Sequence, residues 1–224
     1  KPCITNSICY KRAAGYFKSS VYSLFSNYFY EFAKNNGKIQ LVCSPVLSKE
    51  DIKAIQQGTI DRDKIINSSL KKDIESILSD KDAFEPSKFL ANLIKFEILD
   101  IKLAIRHSYK PGDADIYHDK MGIFFDKNHN KVLFVGGTNE SYNAWTHQGG
   151  TFDKIRVFRS WVTEDSQRVQ EEIDYFNELW EDHIPALYTK SIKEFSIDAL
   201  MEHADKKFLD TGKIFLKNYK RSRE

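Results

Sequence analysis

The chain has 224 residues, the size of one domain or of a domain with an appendage. Hydrophobic residues make up 41% and charged residues 29% of the chain, which excludes collagenous, low-complexity and mostly disordered proteins. No apolar run approaches the roughly eighteen residues of a membrane-spanning helix, and no signal-peptide pattern opens the chain. Cys3, Cys9 and Cys43 leave one thiol unpaired in any disulfide scheme. We therefore expect a cytoplasmic protein with free thiols, without contact to a membrane.

The formal net charge of +2 is unevenly distributed along the chain. Residues 1–48 carry six basic residues against one acidic residue, and residues 205–224 carry seven against three. Residues 164–182, in contrast, carry eight acidic residues and one basic residue. Clustered basic segments are compatible with a polyanionic partner. We predict a single domain over residues 1–208, followed by a basic tail or linker over residues 209–224.

Helical and extended patterns alternate along the first half of the chain. An apolar helical face that includes Phe29 and Phe32 predicts the first helix, and Gly37 is expected as its left-handed cap. Ser48 begins a capping-box-like pattern that opens the second helix. The predicted elements are a helix over 15–35, a strand over 38–43, helices over 48–57, 61–78 and 86–96, and a strand over 98–106.

The second half is predicted to begin with a β-hairpin, because two β-rich segments flank the turn-rich pentapeptide Asp126–Asn130. The hairpin strands cover 116–125 and 131–135, and the later elements are a strand over 154–160, a helix over 163–182, a strand over 184–192 and a short helix over 197–208. This order predicts an α/β fold with a mixed sheet and helices on both faces.

His118 and Lys120 are the first candidate site residues, because residues two apart on a strand point to the same face. An ammonium group beside an imidazole suits a site where a phosphate is bound and attacked. The return strand of the hairpin ends in Gly136-Gly-Thr-Asn139, and glycines let the backbone approach a ligand closely. The hairpin brings Asn139 alongside the pair, within reach of the same phosphate.

The pattern of His118-Asp-Lys120, Asp126 and Gly136-Gly-Thr-Asn139 resembles the signature of the phospholipase D superfamily. Further segments sharpen the resemblance to the phospholipase D-like nuclease domain that precedes bacterial superfamily 2 helicases in restriction-type defence enzymes. These segments are Arg12–Ser20, Ile39–Pro45 and Val157–Trp161. The similarity extends from about Arg12 to Trp161.

This resemblance implies a phospholipase D-like fold and a DNA endonuclease that needs no metal or other cofactor. His118 is implied as the nucleophile that forms a phosphohistidine, with Lys120 and Asn139 stabilising the phosphate. Relatives with one such motif pair two copies across a twofold axis, so a homodimer through the active-site face is implied. The expected context is restriction and antiphage defence, with a helicase domain in the same chain or an associated one.

The chain departs from its relatives after the glycine-rich motif. Similar domains carry an Asn-x-Glu there whose glutamate supports the catalytic histidine, whereas this chain has Gln148 and Gly150 at those positions. Two alternatives follow. Either a different carboxylate supports the histidine, with Asp153, Glu140 and Asp126 as candidates, or catalysis is impaired.

Two other functions compete with this hypothesis. Glu97, Asp100 and Lys102 form an acid-then-Asp-x-Lys pattern typical of metal-dependent nucleases. The chain is alternatively a nucleic-acid-binding or dimerisation module of a larger helicase-type defence protein, in which Arg12 and Lys18 contact DNA phosphates. In that module Tyr10, Tyr16 and Tyr109 are candidates for stacking on bases, although packing in the core is the commoner role of tyrosine.

Overall fold

The computed structural model describes residues 2–15, 26–45, 47, 51, 61–79, 84–106, 117–137, 154–195, 197–202 and 204. The strands are β1 (Ser7–Ala14), β2 (Lys38–Cys43), β3 (Leu99–Arg106), β4 (Lys120–Asp126), β5 (Lys131–Gly136), β6 (Ile155–Arg159) and β7 (Leu187–Ser191). The α-helices are α1 (Pro2–Asn6), α2 (Ser26–Lys34), α3 (Arg62–Ser79), α4 (Phe84–Lys95), α5 (Thr163–Trp180) and α6 (Asp198–Met201), and a 3-10 helix covers Ile192–Glu194.

The seven strands form one mixed sheet in the order β6-β5-β4-β1-β2-β3-β7. Strands β1, β2 and β3 run parallel to one another, and every other neighbouring pair is antiparallel. The predicted α/β class with a mixed sheet is confirmed.

Helices cover both faces of this sheet, as predicted. Helix α5 packs on one face, here called the α5 face, through Val169, Ile173, Phe176 and Leu179. Met121, Ile123 and Leu133 of the hairpin belong to the same cluster. The opposite face carries α2, α3, α4 and α6, and Phe29 and Phe32 of α2 are buried there as expected. Burial of apolar side chains on both faces supplies the main driving force for this fold.

The central strand β1 is absent from the sequence-based prediction. It pairs with β2 on one side and with β4 on the other. Lys11 and Arg12 interrupt its apolar pattern, so that neither strict alternation nor a continuous apolar run marks it. The buried pairing partners on each side, which lie far along the chain, therefore define this strand.

The left-handed residue at the end of α2 is Asn36, with φ of 58°, and the prediction that Gly37 takes this role is wrong. The amide of Gly37 donates to the carbonyl of Phe32 over 2.9 Å, which closes the helix end in a Schellman-type pattern. Gly37 is required for a different reason. A Cβ atom at this position would lie 2.5 Å from the ring of Phe32.

The other predicted elements agree with the structure apart from their ends. The described part of the first helix begins at Ser26, and Gly15 is not helical. The first hairpin strand begins at Lys120 rather than at residue 116, and the last strand is shortened to Leu187–Ser191. The predicted helix over 48–57 lies outside the described residues except for Asp51, and so does the tail over 209–224. Across the residues with described structure, none of the helices has the length and hydropathy to span a bilayer.

Candidate active site

The hairpin begins where the order of strands in the sheet reverses. The chain proceeds from β1 to β2 and β3 on one side of β1, and then returns to β4 on the other side. Lys120, the first residue of β4, lies directly across from Ala14, the last residue of β1. This point is at the carboxyl ends of the parallel strands, where open α/β sheets form their ligand crevices. The fold therefore brings the His118–Lys120 pair to the edge that is best suited for binding.

His118 and Lys120 lie on the face of the sheet opposite α5. Tyr117 and Met121 are buried in the α5-face cluster, so alternation along the extended chain directs His118 and Lys120 the other way. His118 is exposed and Lys120 is half-buried. An accessible imidazole beside a partly enclosed ammonium group is an arrangement that a phosphate in solution can reach.

The environment of His118 favours its neutral form. Partial burial lowers the pKa of His118 from 6.5, and the ammonium group of Lys120 lowers it further. The carboxylate of Asp119 acts in the opposite direction and raises this pKa, but with a smaller effect. Because the pKa lies below its ordinary value, the imidazole is mostly neutral at pH 7, which is the form that a nucleophile needs.

Gly136 ends the return strand next to this pair. Met121 pairs with Val135, and continuing the antiparallel register places Gly136 across from Lys120. Gly136 has φ of 152°, and a Cβ atom here would lie 2.2 Å from the carbonyl oxygen of Lys154, so only glycine fits. Several predicted site residues lie outside the described residues and stay predictions. They are Asn139, Glu140 and Asp153 after Gly136, and Lys18 as a DNA-binding residue. Gly150, at the position of the expected glutamate, also lies outside them.

Asp126 stabilises the hairpin turn and does not support His118. Its carboxylate accepts hydrogen bonds from the amides of Asn128 and Asn130 at 2.8 and 2.9 Å, and from Nδ2 of Asn130 at 2.9 Å. These bonds, chiefly the side-chain bond from Asn130, lower the pKa of Asp126. Lys120 begins β4 and Asp126 ends it, so the two residues lie about 20 Å apart along the extended strand. The structure thus corrects the prediction that Asp126 supports the site.

Arg12 is an internal residue and cannot contact DNA in this structure. Its side chain is fully buried, and Nη1 donates to the carbonyl oxygen of Met121 over 3.0 Å. The guanidinium group also lies 5.2 Å from the ring centroid of Phe134. The prediction that Arg12 binds nucleic acid is therefore corrected: its charge holds β1 against the hairpin.

Tyr10 is likewise a core residue. It is buried, and its ring stacks on that of Phe124 with centroids 4.4 Å apart. The ring therefore contributes to packing on the face opposite α5 and offers no surface to a nucleic-acid base. Tyr16 and Tyr109, the other two tyrosines considered for stacking, lie outside the described residues.

A hydrogen-bonded cluster behind the pair is absent from the sequence-based prediction. The carboxylate of Asp119 accepts the amide of Lys120 at 2.7 Å and the hydroxyl of Tyr117 at 3.3 Å. The side chain of Tyr175, on α5, lies beside Asp119 in the same pocket and packs against the cluster that contains Tyr117. Strand alternation within residues 117–120 could have paired Tyr117 with Asp119. Tyr175 is too distant in the sequence for any local pattern to reveal it.

The acidic residues of α5 line an open pocket around this cluster. Glu171, Glu172 and Tyr175 form the pocket together with Asp119. Burial raises the pKa of Glu172, and the nearby carboxylate of Asp119 raises it further. The α5 face is therefore electrostatically unsuited to a polyanion. A nucleic acid that reaches His118 approaches from the opposite side.

The alternative metal centre lies elsewhere in the sheet. Asp100 and Lys102 are in the first half of β3, and Glu97 precedes this strand, so all three are away from its carboxyl end. The ammonium group of Lys102 donates to the carbonyl oxygen of Trp180 and lies 4.8 Å from the centroid of the Trp180 ring. Lys102 thereby caps the end of α5. Among the residues that the structure describes, no three histidine, cysteine or acidic side chains form a metal-binding group.

A comparison of the chain with the models of known protein families and with curated proteins gives no match.

Proposed function

We propose that this protein is a metal-independent DNA endonuclease with a phospholipase D-like fold, in which His118 is the nucleophile. The observation that carries the proposal is the position of His118 and Lys120 at the point where the strand order reverses. The pair belongs to the sequence pattern that resembles the phospholipase D superfamily. The described residues thus combine the chemistry of that pattern with a position typical of ligand sites.

The reaction follows from the groups at this edge. The neutral imidazole of His118 attacks phosphorus, and the bond from phosphorus to the leaving nucleoside oxygen breaks while Lys120 stabilises the charge on the phosphoryl oxygens. A second imidazolium gives its proton to the leaving oxygen and becomes neutral. That second imidazole then accepts a proton from water as the water attacks the phosphohistidine, which breaks the phosphorus–nitrogen bond and regenerates both histidines.

The second imidazole comes from the His118 of another copy. The other His-x-Lys sequence of the chain, His129-Asn-Lys131, lies at the turn of the hairpin, at the opposite end of β4 from Lys120. Two copies related by a twofold axis place equivalent pairs opposite each other. The active species is therefore a homodimer through the face that carries His118. The acidic α5 face then stays on the outside of the dimer, away from the bound DNA.

Positive charge on the face that carries the pair supports a nucleic-acid substrate. Arg159 is exposed on β6 and is in register with Val132 and Phe124, so it projects to the face opposite α5. Together with Lys120, this cation attracts the phosphates of a polyanion and releases its counterions. The order of segments that resembles the domain preceding superfamily 2 helicases supports a role in restriction and antiphage defence, alongside a helicase in the same chain or an associated one.

A second candidate function is a nucleic-acid-binding or dimerisation module without cleavage activity. It is favoured by one observation, the presence of Gly150 where similar domains carry the glutamate that supports the catalytic histidine. Such a module binds DNA without cleaving it, whichever residue stands at position 118.

Single-turnover cleavage of plasmid DNA by matched histidine variants distinguishes these functions. His118→Asn removes the nucleophile, and we expect the rate to fall by three orders of magnitude or more. His129→Asn makes the same chemical change at the exposed turn of the hairpin, where φ is 64° and asparagine is well tolerated, so its rate stays at the wild-type level. Equal rates for wild type and His118→Asn would overturn the enzymatic function.

A further inference from the structure

His118 lies just beyond the part of β4 that the sheet holds. The last pair between β1 and β4 joins Ala14 to Lys120, and residues 117–119 have no regular secondary structure. The ladder of main-chain pairs therefore ends at Lys120, two residues away from His118. Something other than the ladder must keep this segment in one conformation if its imidazole is to attack along a defined line.

Asp119 supplies this restraint from the other face of the sheet. One carboxylate oxygen accepts the amide of Lys120 at 2.7 Å, and the other accepts the hydroxyl of Tyr117 at 3.3 Å. Tyr175 approaches Asp119 from α5 and packs against the α5-face cluster that contains Tyr117 and the apolar side chains of this helix. The segment that carries His118 is thus connected to a long, well-packed helix.

The two tyrosines stay protonated under working conditions. Burial raises the pKa of Tyr117 far above its usual range, and burial together with Asp119 raises the pKa of Tyr175 to about 12. Hydrogen bonds from hydroxyl groups to a carboxylate are charge-assisted and hence stronger than bonds between neutral groups. The cluster is therefore a fixed support rather than a set of groups that titrate during the reaction.

We propose that Asp119 and Tyr175 are positioning residues, which hold the backbone at His118 so that the imidazole and Lys120 converge on one phosphate. This inference rests on the proposed nuclease function. It assigns a role to the residue between His118 and Lys120 and to a helix on the far side of the sheet. Neither residue touches the substrate, because both lie on the α5 face.

Charge and geometry are separable in this cluster. The carboxylate of Asp119 raises the pKa of His118, whereas Lys120 and burial lower it. Lys120 and Asp119 thus act on this pKa in opposite directions. Asp119→Asn keeps an oxygen that can accept the Lys120 amide but removes the charge, Asp119→Ala removes both, and Tyr175→Phe removes only a hydroxyl group.

The chain offers a matched control pair at the other edge of the sheet. The hydroxyl of Tyr188, on β7, lies 3.3 Å from the carboxylate of Asp63, on α3, which is the same interaction over the same distance as that between Tyr117 and Asp119. Tyr188→Phe therefore reports what the loss of a tyrosine–aspartate contact, away from His118, does to the fold. Asp63→Asn removes the carboxylate charge at that site and with it the ion pair to Lys190, so it is the more severe of the two controls.

The experiment measures single-turnover plasmid cleavage at saturating DNA, DNA affinity and melting temperature for each variant. We expect Tyr175→Phe and Asp119→Ala to lower the rate tenfold or more while the Kd for DNA changes less than twofold. Asp119→Asn recovers part of the rate lost in Asp119→Ala, and the acid limb of its pH–rate profile moves to lower pH. Tyr188→Phe and Asp63→Asn retain the wild-type rate. Wild-type rates in Tyr175→Phe and Asp119→Ala, or equal losses in the control pair, would overturn the proposal.

Hydrogen exchange of the Lys120 amide provides a measurement that does not depend on cleavage. Exchange is expected to be at least tenfold faster in Asp119→Ala than in wild type, and unchanged in Asp63→Asn. Unchanged exchange in Asp119→Ala would overturn the positioning proposal even if the rate fell. Absence of cleavage by the wild type would instead overturn the nuclease function, and the exchange data would still decide whether Asp119 holds this segment.

Discussion

Arg12 donates a hydrogen bond from Nη1 to the carbonyl oxygen of Met121, 3.0 Å away, from a fully buried side chain. The contact joins the central strand to the residue that follows Lys120. Arg12→Ala leaves a cavity and removes the partner of that carbonyl group, so the free energy of unfolding is expected to fall by about 3 kcal/mol. Urea denaturation measures this change.

Arg156→Ala is the control for this prediction, because Arg156 is exposed on β6 and its loss is expected to change the free energy of unfolding by less than about 0.5 kcal/mol. If Arg12→Ala kept wild-type stability and lost DNA affinity, the internal role of Arg12 would be contradicted.

The titration of His118 is expected to have its midpoint below pH 6.5, because burial and Lys120 both disfavour the imidazolium form. Lys120→Gln removes the ammonium group and so raises the pKa of His118. NMR spectroscopy follows the imidazole signal, which is assigned by its absence in His118→Asn. Lys127→Gln, in the exposed turn of the hairpin, serves as the control and leaves the midpoint unchanged. A wild-type midpoint above 6.5 would contradict the stated balance of charges.

Cleavage is expected to survive an excess of chelator, since a histidine nucleophile with Lys120 as the charge-stabilising group needs no divalent ion. The single-turnover rate with and without EDTA is the measurement. Loss of cleavage on chelation, restored by Mg²⁺, would favour the centre at Asp100 and Lys102. Lys102→Gln tests that centre directly: its rate equals that of wild type if Lys102 serves only to cap α5.

The active species is expected to be a dimer, because each reaction uses two copies of His118. Sedimentation analysis at micromolar concentration measures the mass, and mixing wild type with excess His118→Asn chains measures the dependence on both copies. The mixed dimers lack one of the two imidazoles at each site, so activity falls further than by simple dilution. Full activity in a monomer would contradict the dimeric site.

Local patterns are sufficient to predict most of the outer elements of the fold. The hairpin of β4 and β5 follows from two β-rich segments around the turn at Asp126–Asn130, and helix α5 follows from its apolar periodicity. The pairing of His118 with Lys120 on one face is also a local property, since it depends only on the two-residue repeat of an extended chain. Periodicity is visible in the sequence because each such element buries one side of itself.

Strand β1 shows where local patterns stop. It is buried between two neighbouring strands, and Arg12 within it donates to the carbonyl of Met121 and lies over the ring of Phe134. From the sequence alone, the two adjacent basic residues Lys11 and Arg12 predict an exposed segment. A buried charge is recognised only from its partners, and these lie more than a hundred residues away along the chain.

The sequence by itself determined the α/β class, the hairpin and the presence of an imidazole and an ammonium group two residues apart, because each depends on neighbours in the chain. Only the tertiary structure decided what surrounds that pair. It brought Lys120 to the end of β1, placed Tyr175 beside Asp119, directed the Asp126 carboxylate to the amides of its own turn, and buried Arg12 in the interior. The physical reason is that burial and electrostatic environment are properties of contacts between distant segments, and such contacts leave no periodic trace in the sequence.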